Sequence, residues 1–197
     1  MAPITESEWL AHTQSPEMLG LLRDRACERD LSRFAVACCR RIWSHLHDER
    51  SRRAVEMAER DIDGRLTAAE RLAVARGAAQ ALAEASAKLD IRSNGHLRHA
   101  ARAAALCLHT DGVPLRTRDD DPSIPRAFDC ALFVAVHCAA AAAIHRVRPI
   151  RPIARQHAQL AVEIEAEHAE QCHLIRDIFG YPFAYGGSEA GRPVEAE

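Results

Sequence analysis

At 197 residues the chain can bury a substantial single core, and its 48% hydrophobic and 27% charged content excludes a disordered or disulfide-stapled chain. A formal charge of −2 excludes any global attraction to nucleic acid or to an anionic membrane. Seven cysteines, an odd number, follow a start without a basic leader or apolar run from Met1 to Gln14, which predicts reduced thiols and a cytoplasmic location.

In chain order, Thr5 and Glu8 form a capping box for a short helix carrying Trp9 and Leu10. Ser15-Pro16-Glu17 follows as a cap, a first-turn proline and a dipole-favoured acid. From about Asp30, Leu31, Phe34, Ala35, Cys38, Ile42 and Leu46 recur at helical spacing. Asp48 caps the next helix, whose stripe of Ala54, Val55, Ala58 and Ile62 ends at Gly64.

Thr67 and Glu70 make a second capping box, opening a long helix over 68–92 with a seam through Leu72, Ala75, Ala79, Leu82, Ser86 and Leu89. Ser93-Asn94-Gly95 reads as a break before a helix over 96–109. Residues 111–124, rich in proline and acids, read as an exposed loop. A helix over 126–145 is apolar on more than one face and reads as central and buried all round. Its run from Cys130 to Ile144 is too short for a membrane span.

Pro149 and Pro152 force a break before a last helix over 153–179, which Gly180 stops, with Tyr181 folding back on Ile175. The expected fold is therefore all-α: a single multi-helical, bundle-like domain over 1–183. Its parts are N-terminal helices to residue 64 acting as a lid, long helices within 67–110 and 125–180, and a flexible tail at 184–197.

Two blocks, Leu31 to Trp43 with Asp48 to Glu56, and Leu174 to Phe183, resemble an uncharacterised family of alanine- and arginine-rich helical bacterial proteins. That family also opens on a Glu-Trp-Leu segment like Glu8-Trp9-Leu10. The resemblance covers about a third of the chain and implies no activity, cofactor or partner. The family pattern usually continues past its Phe-Gly-x-Pro-Phe element, so the resemblance implies that this sequence lacks a C-terminal piece its relatives carry.

Chemistry-bearing residues are sparse. His137 and Cys138 on the central helix, with His168 and Cys172 one turn apart on the last, can complete a four-ligand zinc or other transition-metal site if the helices run antiparallel. The competing reading makes them occupants of a core face, because the short paired spacings of structural zinc motifs are missing. Glu165-x-x-His168 and Glu170-x-x-His173 match di-iron spacing, but both fall in one helix where that chemistry needs two.

Arg146, Arg148, Arg151 and Arg155 cluster around a proline-held turn that can bind an anion or an acidic partner, although aromatic residues for stacking on bases are absent. Arg40, Arg41, Arg50, Arg52, Arg53 and Arg60 are interleaved with acids and read as a solvated, ion-paired face. No phosphate loop, nucleophile elbow or His-Glu-x-x-His element is present. The leading expectation is a non-enzymatic interaction or scaffold module with a protein partner and no cofactor; the alternatives are a metal-binding bundle and an anion- or nucleic-acid-binding turn.

Overall fold

The structure, a computed structural model, describes residues 4–88, 91–108, 127–147 and 153–182. Among these it holds eight α-helices and no strand: α1 (Glu6–Ala11), α2 (Ser15–Leu21), α3 (Glu28–Arg41), α4 (Glu49–Asp61), α5 (Ala68–Lys88), α6 (Ile91–Cys107), α7 (Ala127–Arg146) and α8 (Ile153–Phe179). A 3-10 turn, Trp43–His45, links α3 to α4. The all-α expectation is met, while the 111–124 loop and the tail after 183 lie outside the described residues.

Local chemistry explains most helix starts. Both capping boxes close: the Thr5 and Thr67 backbone N–H groups donate to Glu8 (2.8 Å) and Glu70 (2.9 Å), and the threonine hydroxyls accept in return at 3.2 Å. Asp48 accepts from the Arg50 backbone N–H at 2.8 Å. Gly64 (φ 67°) and Gly180 (φ 61°) take the left-handed conformation that follows a helix end.

Several expectations are corrected. Ser15 does not cap α2 but lies inside it, because its hydroxyl is committed to α8. Ser93-Asn94-Gly95 does not break the chain; α6 runs through it from Ile91. Gly95 there leaves room for a neighbour, since an added Cβ would sit 3.7 Å from Ile144 Cδ1 of α7. The buried stripe of α5 passes through Ala75, Ala78, Ala81 and Leu82, leaving Ser86 exposed and Ala79 only partly covered.

Helix α7 is the hub, packed on α3, α6 and α8. It is not covered all round: Phe133 (44% exposed) and Val136 (40%) face outward. Over Asp129–Arg146 it is long and apolar enough to cross a membrane by length and composition, with a mean hydropathy of 1.3, contrary to the shorter run read from sequence. Much of that span is occupied in helix packing, as in the core helix of a globular domain.

The main core joins α1, α2, α3, α4, α6, α7 and α8 around Trp9, Phe34, Met18, Ile42, Leu46 and Ile175. A second, alanine-lined contact of Ala54, Ala78, Leu82, Ala101 and Ala105 closes α4, α5 and α6 together. Methyl-sized contacts let these backbones approach closely without the rotamer entropy that longer side chains lose on burial. Tyr181 is partly buried against the main core and donates its hydroxyl proton to the Ile4 carbonyl at 2.8 Å, joining the end of α8 to the start of the described chain.

Candidate functional site

Several arginines of α3 and α4 pair between helices, where the sequence pattern suggested pairs within them, while Arg33 pairs with Asp30 inside α3 at 3.2 Å. Arg40 of α3 pairs with Glu59 of α4, and Arg50 of α4 holds Glu84 of α5 at 2.9 Å. Arg41 reaches the buried Glu167 of α8 at 2.7 Å, and its hydrogen bonds to that carboxylate raise the guanidinium pKa. Arg40 and Arg52 also stack on Trp43 at 4.3 and 5.5 Å from its ring.

Of the anion-binding set, Arg146 is paired with Glu163 (3.4 Å) and Glu167 (3.6 Å), and Arg155 is exposed on α8. Arg148 and Arg151 lie outside the described residues.

The four sequence-predicted metal ligands are dispersed. His137 and Cys138 are consecutive, so helical geometry turns them about 100° apart. His137 meets His99 of α6, Nδ1 to Nδ1 at 2.9 Å, while Cys138 is fully buried beside Cys39 of α3. Cys172 is buried too, and burial pushes the thiols of Cys138 and Cys172 up to about 11. Glu165, Glu170 and His173, from the di-iron reading, are exposed on α8. In the side-chain conformations seen, no three His, Cys, Asp or Glu residues among those described converge as metal ligands.

His168 belongs instead to a sealed polar network. Ser15 Oγ donates to Gln171 Oε1 at 2.6 Å, and Gln171 Nε2 donates to the Ala135 carbonyl at 2.9 Å, which fixes the amide orientation. With its single proton so committed, Ser15 must accept from His168 Nδ1–H at 2.8 Å. The proton therefore points the wrong way for a histidine to activate serine, and Ser15 is wholly buried. The network is a structural tie joining α2, α7 and α8.

A different group is accessible. His45 of the 3-10 turn, His96 of α6 and His145 at the end of α7 bring their rings together, with centroids 4.3 Å (His45–His145), 5.3 Å (His96–His145) and 5.9 Å (His45–His96) apart. Burial, then the neighbouring imidazoles, lowers His45 to about 4, and the same causes lower His96. The rings come from three elements some fifty residues apart in sequence, so no local spacing announces them.

His45 also lines a cavity of about 220 Å³ between the 3-10 turn, α4, α5 and α6. Leu46, Ala81, Ala85, Leu97 and Ala101 form its apolar wall, and His47, Asp48, Ser51 and Glu84 its polar side. Arg50 forks between the two acids, at 2.7 Å to Asp48 and 2.9 Å to Glu84, and its hydrogen bonds hold the Asp48 carboxyl below the usual range. Asp48 and Glu84 thus share the Arg50 guanidinium on this rim. Ser51 is 1% exposed, and its hydroxyl has no hydrogen-bond partner among the described residues.

No protein-family model, curated protein or solved structure matches the chain. The geometry alone therefore carries the functional reading.

Proposed function

We propose that this protein is a non-enzymatic helical binding module whose site is the cavity between the 3-10 turn, α4, α5 and α6. The observation that carries this reading is the buried Ser51 hydroxyl, which lines that cavity and has no hydrogen-bond partner among the described residues. An unsatisfied buried polar group costs about 1–3 kcal/mol, which a ligand hydrogen bond recovers. The volume equals roughly seven waters of liquid, at about 30 Å³ each, and suits a small molecule with an apolar body against Leu97 and Ala101. The Ser51 hydroxyl can donate to or accept from a polar head on that body.

Thermal denaturation with butylamine, butanol and butyrate tests this. At least one of the three should raise the midpoint, and Ser51→Ala should remove that gain. In the ligand-free protein Ser51→Ala should be neutral or slightly stabilising, since it deletes an unpaired hydroxyl. No rise with any of the three compounds, or an unchanged gain in Ser51→Ala, would contradict the reading.

A second reading, a protein-interaction module, is favoured by Phe133 and Val136, both exposed and about one helical turn apart on α7. Sedimentation over a wide concentration range, comparing the natural chain with Phe133→Ser/Val136→Ser, would detect self-association through this face.

A further inference from the structure

The three-histidine cluster beside the cavity names a ligand for the same site. Around a zinc-like ion, nitrogen ligands sit at about 2.0–2.1 Å, which puts each imidazole centroid about 3 Å from the metal and neighbouring centroids roughly 4.5–5 Å apart. The observed separations of 4.3, 5.3 and 5.9 Å straddle that value.

The rings are tilted by 44°, 57° and 84° to one another, so their nitrogens do not meet at one point as they stand. Turning them onto a common ion requires side-chain rotation. His145 is exposed and His45 and His96 are partly exposed, which leaves room to turn. The adjacent cation, Arg146, is offset by Glu163 and Glu167. Of the three, His45 also lines the cavity, whose polar side carries Asp48 and Glu84.

We propose that His45, His96 and His145 form a site for a divalent transition-metal ion of the zinc, nickel or copper class, with a free coordination position toward the cavity. This rests on the cavity being the binding site. Imidazole nitrogens select these ions over magnesium or calcium, which take oxygen ligands.

The test is a cobalt(II) titration of untagged, chelator-stripped protein followed by visible absorption, with zinc competition. One saturable equivalent is expected, with a spectrum that zinc abolishes. His145→Ala and, as a second variant, His96→Gln should each weaken binding at least about tenfold, since even outer-shell partners of metal ligands contribute that much. His157→Ala and His173→Ala, at exposed positions on α8, should bind as the natural chain does.

Absence of a saturable cobalt spectrum, or equal weakening by the α8 variants, overturns the site. Folding of each variant is checked by far-ultraviolet circular dichroism, and because His145 is exposed its replacement leaves the core intact. Failures are separable. If one of the butyl compounds still stabilises a protein that ignores cobalt, the metal fails and the cavity reading survives; if neither they nor cobalt act, both fall.

Discussion

His99 and His137 face each other across α6 and α7 with their Nδ1 atoms 2.9 Å apart, so one nitrogen must donate and the other accept. The acceptor ring is then neutral, and burial disfavours charge on the donor. Burial lowers His99 to about 4, helped by the charges of Arg98 and Arg102, and lowers His137 to about 3, helped by His99 and the same arginines. In the unfolded chain each titrates near 6.5. Between these values the unfolded chain binds more protons, so the pair's contribution is complete above about pH 6.5 and is lost as pH falls through 4. Each unit of separation is worth about 1.4 kcal/mol. Urea midpoints should therefore drop between pH 7 and 5, and His137→Gln should flatten that slope; an unchanged slope would refute the assignment.

At this scale the sequence was least legible. It singled out His137, Cys138, His168 and Cys172, yet gave no sign that His137 would meet His99 or His168 would meet Ser15, because those partners lie on other helices. His45, His96 and His145 carry no local pattern that joins them, since they stand some fifty residues apart.

Helix boundaries were far more legible, since capping is local chemistry: Thr5 with Glu8 and Thr67 with Glu70 act within four residues. Where reading failed, a distant neighbour had intervened. Ser15 looks like a cap until α8 claims its hydroxyl. Ser93-Asn94-Gly95 looks like a break, but α6 continues through it with Ile144 of α7 alongside. Gly95→Ala is accordingly predicted to stabilise the fold by about 0.5–1 kcal/mol, because glycine within a helix costs that much and the added methyl meets Ile144 at an ordinary 3.7 Å. Chemical denaturation decides the matter, and a destabilised variant would show that the helix does not run through residue 95. Gly64→Ala should do the reverse, since φ 67° strains any larger residue.

Across the whole molecule, the apolar stripes predicted an all-α domain, but only the assembled fold shows how its two ends are tied. Arg176 of α8 donates to the carbonyls of Trp9 (3.4 Å), Leu10 (2.9 Å) and His12, covering the open C-terminal end of α1. Tyr181 reaches Ile4 beside it. Arg176→Met should release α1 while the α3–α7 core stays folded. Hydrogen exchange should then quicken at Glu8–Ala11 and remain slow in α7; uniform acceleration of both would mean that the clasp supports the entire fold.

The bare α-carbon at Gly95 has a further effect through its sequence neighbours. It lies against Ile144, and the next residue on each side of that contact is a histidine, His96 and His145. A missing side chain thus acts as the spacer that sets how far apart two imidazoles stand. Residues of increasing size at 95 would work as shims of graded thickness, turning interhelical distance into an adjustable dial on whatever those rings hold.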